Sequence, residues 1–386
     1  MTGSSVAVIG AGPAGLQAAT SAAGFGLDVL LFDQFGLASD VPAAVRVFDQ
    51  TPVWGLFPGW TIAATRDDEP MVEQVEAVIL CTGAIDKVVP FAGGSQPGVI
   101  TAGGLYRLMQ VHRLLPGQRF VVVGDGEDAA SAIECIESAG GDVVLRVADP
   151  DARLMVAYGS AGIERVVSGD TAVEADIVVM AIGRTPDIIL AAIAECDLRF
   201  DMASDAWAVQ RDSALESSQS GIWAAGDVAG CIDAATSRAE GRFAAAQVAT
   251  RLGALDDDGL EREHRLLEQA VTPKGQTPVE IAKTENWASA MVERGSPEFP
   301  PCFVCRCEEV SAERLADQIS MGATTLNDLK RRARAGMGLC QGAYCLAEMA
   351  RMLAEQTGTS VTEIAPMTYR PPARPATLDA LARSSD

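Results

Sequence analysis

The sequence predicts an α/β fold built from two doubly wound, Rossmann-like units, followed by a small helical domain. Two observations predict the sheets. Residues 6–33 contain, in order, a β-branched run, a glycine-rich turn, an Ala-rich helix and a second apolar run. The same order of segments returns over 120–145. Strands that alternate with helices in this way form parallel sheets. A third observation predicts the extra domain, because five of the nine cysteines lie beyond residue 300.

The first unit opens with the strand Val6–Ile9, which leads directly into a Gly-x-Gly-x-x-Gly turn and a helix. In such turns the first glycine permits the tight bend, the second lets a pyrophosphate approach the backbone, and the third lets helix and strand pack closely. Asp33 ends the second strand, where a carboxylate can accept hydrogen bonds from ribose hydroxyls. The predicted dinucleotide site therefore comprises Gly10, Gly12, Pro13, Ala14, Gly15 and Asp33. A glycine turn without a ligand is the alternative.

The second unit has a turn of the same kind but with different chemistry. Its strand Phe120–Val123 is followed by Gly124-Asp-Gly-Glu-Asp-Ala129 and a predicted helix over 128–138. Three carboxylates lie in or beside this turn. They can neutralise the positive end of the helix dipole, and they repel the negative charge of a phosphate. Arg146 stands where NAD binding calls for an acid, and a solvated surface charge is its simpler interpretation. We therefore predict a degenerate site without tight NAD(H) binding.

Composition excludes several classes of function. The 386 residues carry a net charge of −22, which repels nucleic acid and anionic membranes. No run approaches the ~20 apolar residues of a membrane helix, and no basic segment precedes Val6. We therefore expect a cytoplasmic protein without a membrane span. The two histidines, His112 and His264, lie in charged helical contexts, so we nominate no residue as a proton-transfer catalyst.

The cysteines near the C-terminus form two close pairs. Cys305-x-Cys307 and Cys340-x4-Cys345 are separated by 32 residues that contain two predicted helices, and Gly336 is the predicted stop of the second. Ser311 is expected to cap the first helix, and Thr325 with Asp328 to cap the second. Four thiolates gathered in this way suit either a pair of irons or one zinc. Cys302 is a spare thiol or a replacement ligand. The remaining cysteines are expected to be structural and mostly buried, namely Cys81, Cys135, Cys196 and Cys231.

This C-terminal segment resembles a known iron–sulfur domain. Cys305-Arg-Cys-Glu-Glu-Val310 and Gly336-Met-Gly-Leu-Cys-Gln-Gly342 are similar to the bacterioferritin-associated-ferredoxin-like [2Fe-2S] domain. The resemblance implies that Cys305, Cys307, Cys340 and Cys345 hold a [2Fe-2S] cluster.

Two further segments resemble flavoprotein reductases with two dinucleotide-binding domains. They are Ile79-Leu-Cys-Thr-Gly83 and Gly221-Ile-Trp-Ala-Ala-Gly-Asp227. The resemblance implies that Thr82, Gly83, Gly226 and Asp227 contact FAD. Only 47 residues separate Asp33 from Cys81, where relatives carry extra elements that line the flavin. We therefore expect either that the flavin ring is poorly enclosed or that a partner subunit covers it. The alternative is a site that holds only ADP or ATP.

The chain as a whole resembles the alpha subunits of heteromeric FAD-dependent dehydrogenases, such as opine oxidase, hydrogen cyanide synthase and dye-linked proline or hydroxyproline dehydrogenases. The motifs Gly83–Pro90, Pro97–Gly103 and Arg370–Pro375 extend the resemblance. It implies an electron-relay subunit that works with an FAD-containing beta subunit similar to D-amino-acid oxidases, and in some cases with a small ferredoxin-like gamma subunit. An FMN at a subunit interface is a further option. The alternatives are a self-sufficient NAD(P)H-dependent reductase and a scaffold that binds ADP or ATP with only the cluster redox-active.

The predicted domain boundaries follow from these motifs. The FAD-binding domain is assigned to 1–115 and 187–251, and the degenerate NAD-like domain to 116–186. A charged helical connector occupies 252–300 and ends in a proline-rich stretch that cannot continue a helix. The cysteine domain follows over 301–360, and an extended tail over 361–386.

Overall fold

The computed structural model describes residues 4–36, 41–148, 153–231, 233–271 and 299–383. The chain divides into two compact units, each assembled from separate stretches of sequence. Unit 1 comprises Met1–Ala84, Thr185–Thr277 and Thr368–Asp386, and unit 2 comprises Ile85–Arg184 and Pro278–Met367.

The strands of the described residues are short. In chain order they are β1 (Ser5–Ile9), β2 (Asp28–Phe32), β3 (Val45–Phe48), β4 (Val53–Phe57), β5 (Thr61–Arg66), β6 (Glu69–Gln74), β7 (Ala77–Leu80), β8 (Ala84–Asp86), β9 (Val99–Thr101), β10 (Arg119–Val123), β11 (Asp142–Val147), β12 (Val156–Tyr158), β13 (Arg165–Ser168), β14 (Thr171–Glu174), β15 (Ile177–Met180), β16 (Arg184–Pro186), β17 (Leu198–Asp201), β18 (Ala206–Val209), β19 (Ile222–Ala224), β20 (Phe303–Cys305) and β21 (Val310–Ser311).

The helices vary from one turn to five. They are α1 (Pro13–Gly24), α2 (Ala102–Tyr106), α3 (Glu127–Ser138), α4 (Ile189–Ile193), α5 (Ala234–Arg251), α6 (Asp257–Ala270), α7 (Ala312–Ser320), α8 (Leu326–Ala333), α9 (Leu346–Thr357) and α10 (Leu378–Arg383). A π-helical turn (Arg107–Val111) and two 3-10 turns (Asp227–Ala229 and Val361–Glu363) complete the set. No helix of the described residues is long and apolar enough to cross a membrane.

Unit 1 is centred on a five-stranded parallel sheet in the order β19-β7-β1-β2-β3. Val6, Ala7 and Val8 of the central strand β1 are fully buried, as expected for a strand covered on both faces. Helices α1 and α5 pack closely because both present small residues. A Cβ atom on Gly241 of α5 would lie 2.0 Å from the Ala14 carbonyl oxygen of α1. Between β3 and β7 the chain forms only the antiparallel sheet β4-β5-β6.

Unit 2 contains a four-stranded parallel sheet in the order β11-β10-β15-β9 and an antiparallel sheet β12-β13-β14. Phe120 on β10 and Ile136 on α3 belong to its buried core. Strand β9, which lies within the segment that we assigned to the FAD-binding domain, pairs with β15 of this sheet. The predicted domain boundaries otherwise remain predictions, and residues 272–298 of the predicted connector lie outside the described residues.

The cysteine domain in unit 2 folds as a small hairpin, β20–β21, followed by three helices that pack on one another. Ser311 caps α7 by accepting from the Arg314 N–H, and Thr325 with Asp328 forms the predicted capping box of α8. The predicted stop at Gly336 was wrong. Helix α8 ends at Ala333, because Arg334 adopts the left-handed conformation and its N–H bonds to the Lys330 carbonyl oxygen.

Candidate cofactor sites

The first glycine turn has the steric demands that its sequence predicts. A Cβ atom on Gly10 would lie 2.1 Å from the Cys81 carbonyl oxygen, and one on Gly15 would lie 1.8 Å from the Gly10 carbonyl oxygen. These two positions therefore admit only glycine. No atom of the chain lies within 4 Å of a Cβ placed on Gly12. The space in front of Gly12 is open at the start of α1, where a pyrophosphate can approach the helix N-terminus.

Asp33 lies beside this turn, at the carboxyl end of β2. Its Oδ2 accepts from the Ala11 N–H at 2.8 Å, and its Oδ1 accepts from the N–H groups of Phe35 at 2.8 Å and Gly36 at 3.0 Å. The carboxylate thus ties the turn to the loop that follows β2. An ionised carboxylate has about four acceptor positions, so it retains capacity for a ribose hydroxyl.

The loop after β7 carries Thr82 and Gly83, and both are held by the main chain of Asp187. The Thr82 hydroxyl donates to the Asp187 carbonyl oxygen at 2.7 Å. The Asp187 N–H donates to the Gly83 carbonyl oxygen at 2.9 Å. This loop follows a strand parallel to β1 and β2, so all three strands end at the same edge of the sheet, where dinucleotides bind in such folds.

Gly226 and Asp227 follow β19, which is also parallel to β7 and ends at this edge. Gly226 has φ +80°, and its N–H donates to Glu240 Oε2 at 2.8 Å. A Cβ atom on Gly226 would lie 2.9 Å from the Cβ of Ala14, which places this turn directly against the first one. The structure therefore brings Gly226 and the first glycine turn together, and the dinucleotide site that they would form stays a prediction.

The four cysteines of the predicted cluster lie close together as two pairs. All four are free cysteines, and a side-chain hydrogen bond joins Cys345 to Cys305 and another joins Cys340 to Cys307. Cys305 and Cys345 are buried, whereas Cys307 is exposed. The two pairs lie close enough to interact electrostatically, since Cys307 and Cys340 each raise the pKa of the Cys345 thiol. One pair of sulfur atoms therefore faces the interior and the other includes a sulfur on the surface side.

The loop around Gly336 lies directly over these sulfur atoms. The Gly336 N–H donates to the Cys305 sulfur at 3.4 Å, and a Cβ on Gly338 would lie 2.3 Å from the Cβ of Cys307. The hydrogen bond from Cys345, supported by the Gly336 N–H, lowers the pKa of Cys305 to about 6 against the opposing effect of burial. Such a setting favours the thiolate that a metal requires.

These donors fit a two-iron cluster. Within the described ranges, no group of three His, Cys, Asp or Glu side chains is already arranged to hold a metal ion. A [2Fe-2S] cluster is held by four thiolates shared between two irons, so two neighbouring pairs suit it. Backbone N–H donation to a ligand sulfur is also typical of the surroundings of such clusters.

Comparison with known proteins finds an oxidoreductase domain and an iron–sulfur domain in this chain. Residues 303–355 match the BFD-like [2Fe-2S] binding domain, and residues 155–253 match the pyridine nucleotide-disulphide oxidoreductase family. An opine oxidase subunit from Rhizobium meliloti (strain 1021) is 25% identical over 97% of each chain. The corresponding subunit from Agrobacterium tumefaciens (strain Ach5) is 26% identical over 81% of this chain and 70% of that one. The crystal structure of L-proline dehydrogenase from P. horikoshii matches 98% of this chain and 79% of that chain, with a TM-score of 0.81 at 23% identity, and so shares its fold.

The chain is similar to opine oxidase subunits over most of its length and carries the two matching domains, in agreement with the predicted relationship to the alpha subunits of heteromeric FAD-dependent dehydrogenases. It is an oxidoreductase of the flavin type with a C-terminal [2Fe-2S] domain. The sequence-based prediction of the family and of the fold class is therefore confirmed. The roles of the individual site residues stay predictions, supported by the geometry above.

The second glycine turn keeps the shape of a dinucleotide turn and adds acidic side chains. A Cβ on Gly124 would lie 2.1 Å from the Ala181 carbonyl oxygen, just as Gly10 meets Cys81 in the first turn. Glu127 and Asp128 occupy the first turn of α3, and Arg146 is an exposed side chain 3.9 Å from Glu137. The negative charge at the helix N-terminus is therefore supplied by the chain itself, which disfavours a bound pyrophosphate at this turn.

The remaining cysteines differ in burial. Cys81 and Cys196 are buried, as predicted, whereas Cys135 and Cys231 are only partly buried. Cys302 is buried, and burial raises the pKa of its thiol to about 12.

Two residues that support the Gly226 turn, Arg211 and Glu240, were not predicted from the sequence. Arg211 donates to Glu240 through Nη1 at 2.9 Å and Nη2 at 2.5 Å, and also to the Ala224 carbonyl oxygen at 2.6 Å. Glu240 is buried and accepts from the Gly226 N–H, so this ion pair fixes the turn that is predicted to contact FAD. The sequence signal for Glu240 is that it is the single Glu among the small residues of α5. Its partner Arg211 lies 29 positions away in the sequence, so the ion pair itself has no local signal.

Proposed function

We propose that this chain is the electron-transfer subunit of a heteromeric flavin-dependent amine or amino-acid dehydrogenase of the proline, hydroxyproline or opine type. It relays electrons through FAD and a [2Fe-2S] cluster. Two features of the same chain carry the proposal. An intact glycine turn lies against Gly226, and four cysteines lie in two neighbouring pairs. Both histidines are exposed, which agrees with chemistry that resides in cofactors.

In this proposal the residues of unit 1 bind and orient the flavin. The open space at Gly12 and the N-terminus of α1 receive the pyrophosphate, and Asp33 accepts from the ribose. Thr82, Gly83, Gly226 and Asp227 lie on the loops that face the rest of the cofactor. Bound FAD supplies two-electron chemistry and the cluster supplies one-electron transfer. Cys307, on the exposed side of the cysteine domain, places one ligand sulfur near an external acceptor.

Substrate oxidation is assigned to a partner subunit. The curated relatives are named as subunits, so partner subunits are expected, and the family resemblance implies an FAD-containing beta subunit similar to D-amino-acid oxidases. The short segment between β2 and β7 contains an antiparallel sheet and no helix among its described residues. This supports an arrangement in which the partner subunit covers part of the flavin ring.

Cofactor analysis of the purified complex tests the proposal. The chain is co-expressed with its candidate beta subunit, and flavin, adenine nucleotide, iron and sulfide are quantified after denaturation. We expect FAD with two irons and two sulfides per chain, and bleaching of the cluster absorbance when an amino-acid substrate is added to the complex but not to this chain alone. Recovery of ADP or ATP without flavin from this chain purified alone would instead support the scaffold alternative, and recovery of FMN from the complex would reveal an interfacial flavin.

A self-sufficient NAD(P)H-dependent reductase is the second candidate. It is favoured by the match of residues 155–253 to the pyridine nucleotide-disulphide oxidoreductase family and by the retained geometry at Gly124. Because Glu127 and Asp128 occupy the helix N-terminus, we expect titration with NADH or NADPH to give no saturable binding and no flavin reduction. A micromolar dissociation constant in calorimetry would revive this candidate.

A further inference from the structure

The C-terminal tail returns to unit 1 and packs there. The Ala373 N–H donates to the Trp54 carbonyl oxygen at 2.7 Å, and both Tyr369 and Ala373 are buried. The tail segment Arg370–Pro375 was recognised as a motif, but neither cofactor site described above uses it. Its packing next to the strands of unit 1 raises the question of what its charged residues do.

Arg374 of this segment bridges two loops that are distant in sequence. Its Nε donates to Gln34 Oε1 at 3.2 Å, and its Nη2 forms an ion pair with the Asp187 carboxylate. The Asp187 side chain is 6% exposed and the Arg374 side chain is 25% exposed. Burial raises the pKa of the Asp187 carboxyl group, and the Arg374 charge opposes that rise. The Arg374 guanidinium thus lowers the pKa of a buried carboxyl group whose pKa burial raises.

Both bridged loops lead to residues of the dinucleotide site. Gln34 directly follows Asp33, which holds the first glycine turn through the Ala11 N–H. The main chain of Asp187 holds the Thr82 hydroxyl and the Gly83 carbonyl oxygen. One guanidinium therefore connects the acid predicted to bind ribose with the loop predicted to contact the flavin, and the connection is made entirely within unit 1.

We propose that Arg374 is a positioning residue of the dinucleotide site, supplied by the C-terminal tail. It fixes the spacing between the Asp33 loop and the Thr82–Gly83 loop, and it compensates the charge of Asp187. This inference rests on the proposed binding of FAD in unit 1. Removal of the cation leaves a buried carboxylate without its partner, which is costly, so the Asp187 segment shifts or takes up a proton.

The test compares four variants of the full chain: Arg374→Gln, Arg374→Lys, the double variant Arg374→Gln with Asp187→Asn, and Arg383→Gln. Arg383 is the matched control, because it lies in the same tail and its ion pairs with Glu69 and Asp379 and its hydrogen bond to the Asp68 carbonyl oxygen are all exposed. FAD is removed and the dissociation constant for added FAD is measured well below the melting temperature of each variant. The absorbance of the cluster in unit 2 reports whether the rest of the protein is intact.

We expect Arg374→Gln to weaken FAD binding at least tenfold, and Arg374→Lys to weaken it less because the charge is kept. The double variant should recover much of the loss, since it also removes the uncompensated carboxylate. Arg383→Gln should bind FAD like the unchanged protein. In the cofactor-free protein, hydrogen exchange of the Asp187 amide should accelerate in Arg374→Gln, because that N–H bonds to Gly83.

A lowered melting temperature with an unchanged FAD dissociation constant would overturn the proposal and make Arg374 a mere anchor of the tail. Failure of the double variant to recover binding would overturn the role of Asp187. If the unchanged protein binds no FAD, the proposed function fails instead. The same titration is then made with ADP, and an unchanged dissociation constant for ADP in Arg374→Gln would overturn the positioning role.

Discussion

Replacement of Cys340 by serine is expected to abolish electron transfer to an external acceptor while substrate oxidation by the partner subunit persists. Cys340 and Cys307 form the ligand pair that includes the exposed sulfur, and serine is a poor substitute for a thiolate on iron. The variant should lose the visible absorption and the low-temperature electron paramagnetic resonance signal of the reduced cluster. Acceptor reduction should fall to the level of the iron-free protein.

Cys302→Ser is the matched control for this variant. Cys302 is a buried cysteine of the same domain, whereas Cys340 is partly buried, and the two sulfur pairs are formed without Cys302. We expect it to retain iron and acceptor reduction. Loss of iron in Cys302→Ser would make Cys302 a ligand, in contradiction of the assignment. If Cys340→Ser lost substrate oxidation and acceptor reduction equally, the cluster would be structural and the relay role would be wrong.

A pair of glycine substitutions in the first turn should separate cofactor binding from folding. In Gly12→Ala the added methyl group meets no atom of the chain within 4 Å, so the cofactor-free protein should change in stability by no more than about 0.5 kcal/mol. The same methyl group occupies the space that a pyrophosphate needs. FAD binding should weaken by at least tenfold, which corresponds to about 1.4 kcal/mol.

Gly15→Ala should act on the fold itself. The new Cβ would lie 1.8 Å from the Gly10 carbonyl oxygen, so helix α1 and the turn must move apart. Overpacking of this kind costs about 1–3 kcal/mol, which urea unfolding of the cofactor-free protein can resolve. Unchanged FAD affinity in Gly12→Ala would show that the nucleotide does not use this turn. Equal loss of stability in both variants would refute the open space at Gly12.

The helix caps and the two cysteine motifs show what local sequence can predict. Ser311 and the Thr325–Asp328 capping box form as expected, because a cap is made by residues three positions apart. Helix α3 begins within a residue of its predicted start for a similar reason, since its glycine turn and its apolar spacing are contiguous. The stop of α8 was misplaced because Arg334, which has no glycine-like signature, adopts the left-handed conformation.

The sequence by itself determined the two strand–turn–helix units, the family and the four candidate sulfur ligands, because each depends on residue types at short, fixed spacings. Only the tertiary structure decided that β9 joins the second sheet, that Arg211 and Glu240 support Gly226, and that Arg374 reaches Asp187 and Gln34. Those contacts join residues far apart in the chain. Burial gives them their strength, because a charge removed from water needs its partner, and burial is a property of the folded chain alone.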